Sequence, residues 1–547
     1  MRCKRMTAVL SALTLLTGSL AAYPAFAAAK GSGDIDENGT VQIADAILLA
    51  RYIAEDTDIT VTTQGLLNAD MNGDEAVDSD DAASLLSWLA GTETAPPSEG
   101  RSVDLLAGLT AGDVQTAAPD EAFCAAQADF TAKLFRTVAA NEEDGDKNLL
   151  VSPLSVSLAL GMTMNGAKGV TLAEMQKVLG GELTADQLNA YYAAWSEALQ
   201  TPQEITYISS GMEYTGDPEE DAITDMFRYA ENDRHGWQTP SGADKMVTEQ
   251  SQPVTITNAV WFKDDEKMIK VPQQFLQTIS DYYGAGAFKA PMDDSTVDDI
   301  NGWVSENTHG MIDSLMQKPM PDALVMVLVN ALTFESLWET TYASYEVGDG
   351  KFTAANGESR DVRMMRGEER GYLDDGKATG FVKAYKDDRY SFAAVLPNEG
   401  VSLDEYIAGL DGKALQKLLG SKQSVKVRSS MPKFKFDYNV RLKDVLEALG
   451  MPTAFGDGET AADFTGLNEA PDAYTRISEV LHKTFIDVSE TGTKAAAVTA
   501  VMMANGTAME DEPKQVVLDR PFLFMILDNQ TNLPIFIGAV RDIQAEQ

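Results

Sequence analysis

Two acidic stretches near the N-terminus place oxygen-bearing side chains at the spacing of a calcium loop. Calcium takes six to eight oxygen ligands, and such a loop supplies them from side chains at positions 1, 3, 5 and 12 and a carbonyl at position 7. The predicted ligands of the first loop are Asp34, Asp36, Asn38, the carbonyl of Thr40, and Asp45. Those of the second loop are Asp70, Asn72, Asp74, the carbonyl of Ala76, and Asp81. We therefore predict that this part of the chain binds two calcium ions.

The two loops differ at position 6, where the chain must turn sharply. The first loop has Gly39 there, whereas the second has Glu75. Occupancy of the second loop therefore stays open, and a solvated acidic loop is the alternative. Carboxylates this close repel one another without a metal, so folding of this region is expected to depend on calcium.

Each loop runs into an apolar pattern of helical period, which predicts a small all-α module over residues 33–91. Position 12 is Asp in both loops, and no helix precedes the first. In these respects the module resembles the dockerin type I domain of cellulosome proteins. The resemblance implies that the module docks onto a cohesin domain of a scaffold protein.

The rest of the chain carries no motif for hydrolytic or nucleotide chemistry. Its three histidines are His235, His309 and His482, and it lacks a nucleophile elbow, a metalloprotease helix motif and a phosphate-binding loop. A formal net charge of -41 argues against a nucleic-acid partner, because phosphates would be repelled. We therefore predict that the protein is not an enzyme.

A run of small residues near the C-terminus is the most informative segment of the larger region. It reads Glu490-Thr491-Gly492-Thr493-Lys494-Ala495-Ala496-Ala497-Val498-Thr499 and lies between two strand-like stretches. By itself this composition indicates a flexible exposed loop. The segment also resembles the hinge of the reactive-centre loop of serpins, and the hinge residues would then be Glu490, Gly492, Thr493, Ala495, Ala497 and Thr499.

The resemblance to serpins extends over residues 103–543. The other matching blocks, in chain order, are residues 148–157, 165–171, 328–334, 338–339, 431–434, 446–451, 461–467, 482–483 and 534–538. It implies an α+β fold with a main mixed sheet, smaller sheets, about eight or nine helices and an exposed reactive-centre loop. The family usually has Lys-Gly where this chain has Glu335-Ser336, which leaves the packing of the neighbouring breach region open.

The resemblance also implies a suicide inhibitor of serine proteases. A protease would attack the loop and form an acyl-enzyme, and the cut loop would enter the main sheet as a new strand. Side chains alternate along a strand, so Thr493, Ala495, Ala497 and Thr499 would face inward, and all four are small and uncharged. Gly492 would give the backbone freedom at the pivot. We favour an active inhibitor; a non-inhibitory serpin that serves as a scaffold-attached binding or structural protein is the alternative.

Five residues match the family positions that gate the opening of the sheet. Ser152, Ser155, Asn330 and His482 match the polar shutter, and Trp338 matches the breach. Each would also fit a buried polar or aromatic residue with a purely structural part, since buried polar groups are normally hydrogen-bonded.

The position of the scissile bond stays open. The candidates are Met503, Asn505, Gly506, Thr507 and Met509. No Arg or Lys lies between Val498 and Asp511, so we expect subtilisin-like or elastase-like proteases as targets.

The remaining expectations concern processing and organisation. Residues 1–27 read as a secretory signal, residues 92–102 as a linker, and residues 103–547 as the serpin domain. The mature protein is expected to be extracellular, attached to a cellulosome-like complex. Cys124 is predicted to be a buried, inert thiol. Residues 206–252 read as a polar insertion or long loop with no assigned function.

Overall fold

The computed structural model describes residues 102–209, 245–308, 310–312, 314–321, 324–470, 475–493 and 512–543. Nearer the N-terminus it describes residues 23–24, 35, 40–41, 43–53, 59, 61–71, 77–79, 81–82 and 85–86. The chain divides into two compact units. One holds residues 1–103 and 289–324, and the other holds residues 104–288 and 325–547.

The helices, in chain order, are α1 (Ile43–Ile53), α2 (Thr63–Ala69), α3 (Glu121–Asn141), α4 (Pro153–Met164), α5 (Gly169–Gly180), α6 (Ala185–Gln200), α7 (Gln273–Tyr283), α8 (Asp294–Asn307), α9 (Leu403–Ala408), α10 (Gly412–Gly420), α11 (Lys443–Leu449) and α12 (Pro452–Phe455). Capping side chains mark several starts. The carboxylate of Asp120 accepts the N–H of Phe123 at 2.9 Å before α3, and Ser152 caps α4 with Pro153 in its first turn. None of the helices in the described ranges is long and apolar enough to cross a bilayer.

The strands are β1 (Tyr23–Pro24), β2 (Thr40–Val41), β3 (Val103–Asp104), β4 (Leu149–Val151), β5 (Gln203–Ser209), β6 (Lys245–Ser251), β7 (Val254–Lys263), β8 (Gly286–Ala290), β9 (Met326–Phe334), β10 (Ser336–Leu337), β11 (Val347–Thr353), β12 (Ser359–Glu369), β13 (Gly371–Asp374), β14 (Ala378–Ala384), β15 (Tyr390–Pro397), β16 (Val427–Pro432), β17 (Phe434–Arg441), β18 (Glu479–Val488), β19 (Gly492–Thr493), β20 (Lys514–Val517), β21 (Phe522–Asp528) and β22 (Leu533–Val540).

These strands form three larger sheets. The main sheet has the order β10-β19-β18-β9-β7-β8-β3, and β17 also pairs with β18. A four-stranded sheet has the order β11-β12-β16-β20, and a six-stranded sheet has the order β13-β14-β15-β21-β22-β4. The main sheet is mixed, because β9 runs antiparallel to β7 and parallel to β18. Every residue of β9 is buried, which explains why its sequence is apolar on both faces, apart from Asn330 and Thr333, rather than alternating.

The polar segment predicted as an insertion or long loop contains regular structure at both ends. Strands β5 and β6 pair antiparallel from Gln203↔Ser251 to Ser209↔Lys245. Only residues 210–244 between them lie outside the described residues. The two ends form strands because pairing with each other satisfies their backbone hydrogen bonds.

Residues 104–119, which we call the strap, precede α3 and follow the edge of the larger unit. The N–H of Leu105 donates to the carbonyl of Ala287 in β8 at 2.7 Å. The N–H of Gly112 donates to Asp281 of α7 at 2.7 Å, and the N–H of Ala117 donates to the carbonyl of Ala190 in α6 at 3.2 Å. The strap is therefore fastened to one strand and two helices.

Cys124 differs from its prediction. Its side chain is half-buried rather than buried, because it lies on the flank of α3 and not on the face that carries Phe123 and Gln127. Burial raises the pKa of its thiol above the ordinary value, which disfavours the reactive thiolate.

Candidate functional site

The hinge begins inside the main sheet. After β18 the chain turns, with the N–H of Ser489 donating to the carbonyl of Gly492 at 2.9 Å. Thr493 then pairs antiparallel with Ser336 of β10 on one side and with Val488 of β18 on the other, and Gly492 pairs with Leu337. Gly492 and Thr493 of the hinge therefore already occupy the entrance of a strand position.

Thr493 is fixed by its side chain as well as by its backbone. It is 2% exposed, and its hydroxyl lies 2.6 Å from the hydroxyl of Tyr385. The Tyr385 ring stacks on Trp338 with centroids 4.5 Å apart. Burial raises the pKa of Tyr385 well above its ordinary value, so its hydroxyl remains a hydrogen-bond donor. A bulky or charged residue at position 493 has no room in this arrangement.

Gly492 lies where two backbones approach closely. Its backbone φ angle lies outside the left-handed region. A Cβ at this position would instead lie 2.2 Å from the carbonyl oxygen of Ser336. Glycine thus permits two backbones to approach closely. Its expected freedom at the pivot of loop insertion stays a prediction.

The turn before the hinge is held by two aromatic residues. The backbone N–H of Trp338 donates to the carbonyl of Thr491 at 3.0 Å, and its indole N–H donates to the carbonyl of Ser489 at 2.9 Å. The N–H of Tyr342 donates to the carbonyl of Glu490 at 2.9 Å. The Glu490 carboxylate also forms a 2.8 Å ion pair with Lys433.

The departure at Glu335-Ser336 is accommodated without disruption of the breach. Glu335 is exposed, and the buried hydroxyl of Ser336 donates to the carboxylate of Asp387 at 3.2 Å. Burial raises the pKa of Asp387 above its ordinary value. The Ser336 side chain thus acquires a partner that a glycine would not need.

A buried ion pair that no sequence pattern predicts lies next to these aromatic residues. Lys383 and Glu369 are 3.0 Å apart with side chains 4% and 9% exposed. The Lys383 ammonium lies 4.3 Å from the centroid of the Tyr342 ring and 5.5 Å from that of Trp338. Tyr385, Lys383 and Glu369 are far from the hinge in sequence, so no spacing pattern could reveal them.

Below the hinge, the main sheet is closed. Strands β18 and β9 pair directly in parallel from Glu479↔Val327 to His482↔Asn330. Four predicted shutter residues meet here. The N–H of Ser152 donates to Nε2 of His482 at 3.0 Å, and the amide of Asn330 donates to the side chain of Asn258 in β7. Ser155 lies one turn into α4, where its N–H donates to the hydroxyl of Ser152 at 3.2 Å.

The shutter contains polar atoms that the closed sheet does not satisfy. Burial lowers the pKa of His482 to about 4. Its ring is therefore neutral, and because Nε2 accepts a hydrogen bond the proton resides on Nδ1. Within the described residues, Nδ1 of His482, Oδ1 of Asn330 and Oγ of Ser155 are buried without a hydrogen-bond partner.

Other predicted site residues fall outside the described residues. These are Ala495, Ala497 and Thr499 of the hinge, the scissile-bond candidates Met503, Asn505, Gly506, Thr507 and Met509, and the calcium ligands Asp34, Asp36, Asn38, Asn72, Asp74 and Ala76.

The calcium ligands that can be described are buried carboxylates of the N-terminal module. Asp45 and Asp81 are fully buried and Asp70 nearly so. Asp45 accepts the N–H of Ile35 at 2.8 Å, and Asp81 accepts the N–H of Asp78 at 2.8 Å. Buried carboxylates near the start of α1 and beside α2 fit a hard cation such as calcium, because burying several unneutralised charges is unfavourable. Thr40, whose carbonyl is a predicted ligand, lies in β2.

Comparison with known families identifies both regions. The model of the serpin family (serine protease inhibitor) matches residues 125–543, and the model of the dockerin type I domain, a type of domain that binds calcium, matches residues 32–89. An uncharacterized serpin-like protein of Thermococcus kodakarensis is 26% identical over 76% of this chain and 84% of its own length. Intracellular coagulation inhibitor 2 of Tachypleus tridentatus is 27% identical over 73% of this chain and 86% of its own length.

Solved structures show the same fold. The thermophilic serpin tengpin in its native state is 37% identical, with a TM-score of 0.67, over 81% of this chain and the whole of tengpin. Human thyroxine-binding globulin, 23% identical with a TM-score of 0.61, shares the fold over 77% of this chain and 99% of its own. The predicted α+β architecture with a main mixed sheet is thereby confirmed.

Proposed function

The chain belongs to the serpin family and carries an N-terminal dockerin type I domain, and from this premise we propose that it is a secreted suicide inhibitor of serine proteases docked on a cohesin-bearing scaffold. One observation carries the inhibitory part. Gly492 and Thr493 already pair between β10 and β18, while β9 and β18 still pair directly below them. Gly492 and Thr493 thus occupy the start of the strand position, and the pairing of β9 with β18 closes the rest of it. A loop can insert from this state.

The reaction with a protease follows from this arrangement. The serine hydroxyl of the protease attacks a carbonyl of the loop, an ester bond forms to that carbonyl, and the amine of the next residue leaves with a proton. The released loop then enters between β9 and β18 and draws the ester-linked protease with it. Each new ladder hydrogen bond contributes on the order of 0.5–1.5 kcal/mol, so a dozen residues supply a strong driving force.

Insertion must be faster than hydrolysis of the ester, which makes the inward-facing hinge residues decisive. Thr493 lies on the buried face, and in an inserted strand Ala495, Ala497 and Thr499 would share that face by alternation. None carries a charge that would have to be desolvated. This pattern supports an active inhibitor over a non-inhibitory binding protein.

The loop sequence favours particular proteases. The candidate residues before the scissile bond are Met503, Asn505, Gly506 and Met509, with Thr507 after Gly506. A trypsin-like protease needs a basic residue there, and the segment has none. We infer that the targets are subtilisin-like or elastase-like.

The dockerin domain supports attachment to an extracellular, cellulosome-like complex. Asp45, Asp70 and Asp81 would hold calcium in this domain together with the remaining loop oxygens, and the bound ions would neutralise the carboxylates so that α1 and α2 can pack. A scaffold-bound inhibitor would protect the neighbouring proteins of the complex from proteolysis.

Incubation with subtilisin and with pancreatic elastase tests the inhibitory mechanism. A complex that survives denaturing gel electrophoresis, together with the intact mass of the released C-terminal peptide, would establish covalent trapping and locate the scissile bond. Clean cleavage with fully active protease, across several serine proteases, would contradict the proposal and favour the non-inhibitory alternative.

A further inference from the structure

A group of cations lies at one end of the four-stranded sheet, although acidic residues outnumber basic ones by 84 to 43 in the whole chain. The group belongs to residues 366–374, 422–428 and 512–515, where β12 ends and where β16 and β20 begin. We call its cations the basic patch; they are Arg366, Arg370, Lys422, Lys426, Arg428 and Lys514. The exposed carboxylates of the same three segments are Glu368, Asp374 and Glu512. The balance of charge at this end of the sheet is therefore the reverse of that of the chain.

Strand pairing brings the cations of the basic patch together. Glu368 of β12 pairs with Arg428 of β16, and Val427 of β16 pairs with Lys514 of β20. The N–H of Lys514 donates to the carbonyl of Lys426 at 2.9 Å. Residues from three strands therefore form one continuous surface.

The chain that follows β12 adds to this surface. A Cβ on Gly371 would lie 3.3 Å from Cε of Lys422, and the N–H of Tyr372 donates to the carbonyl of Gln423 at 2.9 Å. The Lys514 ammonium lies 5.4 Å from the centroid of the Tyr372 ring, within the range of a cation–π contact. Tyr372 thus joins the segment of Lys422 to the side chain of Lys514.

Glu368 neutralises part of the basic patch. Its carboxylate lies 2.6 Å from the ammonium of Lys426 and 3.9 Å from Nε of Arg428. One carboxylate between two cations leaves a positive excess, and the Arg428 side chain is 68% exposed. Exposed ion pairs of this kind contribute little to stability. The excess charge can instead attract an anionic partner and speed its association.

The basic patch lies beside the point where the reactive-centre loop rejoins the fold. The structure describes the chain again from Glu512, and Lys514 begins β20. The candidate scissile residues, from Met503 to Met509, lie eleven to five residues before Lys514. Because an extended residue spans at most about 3.6 Å, the scissile bond lies within about 40 Å of Lys514. A compact protease of about 240 residues has a radius of gyration of about 18 Å and a diameter of about 45 Å. A protease on the loop can therefore contact the patch.

We propose that the basic patch is a docking surface for an acidic face of the target protease. The inference rests on the proposed inhibitory function and adds a property of the target to it: carboxylates on the face that overhangs β16 and β20. Charges farther apart than about 8 Å are largely screened at physiological ionic strength, so the patch attracts a docked protease locally although the whole chain carries a charge of -41. A protease fits better than a polyanionic polysaccharide, because the patch adjoins the loop that the protease attacks.

The test compares pancreatic elastase with the same enzyme after succinylation, which converts lysine ammonium groups into carboxylates. The patch variant is Lys422→Glu with Arg428→Glu. Its matched control, Lys267→Glu with Lys270→Glu, changes the net charge equally at exposed positions. The control residues follow Lys263, at the end of β7 that is farther from the hinge.

The measured quantity is the rate at which intact chain is lost, because this rate follows both covalent trapping and simple cleavage. Activity on a small peptide substrate normalises the two elastase preparations. The guanidinium unfolding midpoint establishes that each variant is folded. For each protein, the rate with succinylated elastase is divided by the rate with the unmodified enzyme.

At about 0.15 M salt, we expect this ratio to be on the order of three- to tenfold lower for the patch variant than for the parent. The control should match the parent, and so should Lys422→Arg with Arg428→Lys, which keeps both charges. All four proteins should converge in about 1 M salt, where the Debye length is about 3 Å. Equal ratios in the patch variant and the control would overturn the proposal.

The remaining outcomes separate this inference from the alternatives. Equal ratios, together with binding of dextran sulfate by the parent and not by the patch variant, would assign the patch to a polysaccharide and overturn the proposal. If the elastases cut the loop and stay active, the inhibitory function is contradicted, whereas a lower ratio in the patch variant still supports the docking surface. A loop that neither elastase attacks would overturn both the docking surface and the elastase-like assignment.

Discussion

The hydroxyl groups of Tyr385 and Thr493 lie 2.6 Å apart, although the two residues are 108 positions apart in the chain. Tyr385 follows β14 of the six-stranded sheet, and Thr493 is in β19 of the main sheet. The contact ties Thr493 of the hinge to the layer beneath it. The Tyr385 side chain, which is not part of the loop, thus holds Thr493 at the start of the strand position.

Replacement of Thr493 by arginine should turn an inhibitor into a substrate. The residue is 2% exposed, and burying an unpaired charge there costs several kcal/mol. An added barrier of about 1.4 kcal/mol already slows insertion about tenfold. The number of inhibitor molecules consumed per protease inactivated should rise accordingly, as measured by titration against subtilisin. Thr493→Ser is the control, and unchanged inhibition by Thr493→Arg would contradict the importance of the hinge.

Tyr385→Phe tests the contribution of the contact to stability. The ring still stacks on Trp338, but the Thr493 hydroxyl loses its partner, so the free energy of unfolding should fall by about 1 kcal/mol. A double-mutant cycle with Thr493→Val should show a coupling of similar size in denaturant unfolding. Additive effects would mean that the two hydroxyls do not interact.

Acid should weaken the closed sheet through His482. Burial lowers its folded-state pKa from 6.5 to about 4, and its Nε2 must stay unprotonated to accept from Ser152. Above pH 6.5 the ring is neutral in both states. Between pH 6.5 and pH 4 only the unfolded chain binds the proton, so the free energy of unfolding should fall as pH falls, by up to about 3 kcal/mol.

Urea unfolding over this pH range measures the effect. The variant His482→Asn should unfold with a shallower pH dependence across the same interval, whatever its absolute stability. An equal slope in the variant and the parent would assign the acid sensitivity to other groups.

Reversal of the charge of Glu490 should open the entrance of the sheet. Glu490→Lys would place two cations where the 2.8 Å pair with Lys433 now lies, and it would loosen the turn held by Tyr342. We expect the variant protein to form polymers several-fold faster than the parent on mild heating. Size-exclusion chromatography measures the rate of polymer formation. Adding Lys433→Glu restores opposite charges and should slow the reaction again; equal rates in the single and double variants would rule out the ion pair as the cause.

Removal of calcium should unfold the N-terminal module alone. Chelation would remove the cations expected beside the buried carboxylates Asp45, Asp70 and Asp81, so hydrogen exchange in α1 and α2 should rise and cohesin binding should disappear. The thermal transition of the larger domain should stay in place. Calorimetric titration should count two ions per chain, and one in Asp81→Asn; one ion in both would show that the second loop, with Glu75, is empty.

The sequence predicted the parts of the site that repeat a local pattern. Alternation and residue size predicted that Thr493 faces inward, and its side chain is buried. Tyr385 and the Lys383–Glu369 pair could not be predicted, because only the stacking of two sheets brings them to the hinge. Gly492 shows a third case: the close approach of the Ser336 backbone, which leaves no room for a Cβ, depends on a partner strand that the sequence alone does not place.

The strap has a mechanical consequence for a protein that is held by its N-terminal module. Tension on the tether reaches the larger domain at Leu105, Gly112 and Ala117, whose bonds lie along the rim of the sheet and on two outer helices. We expect these hydrogen bonds to break one after another before force reaches the central contact between β9 and β18. In single-molecule pulling, the strap should release as a separate low-force step before the main sheet carries the load.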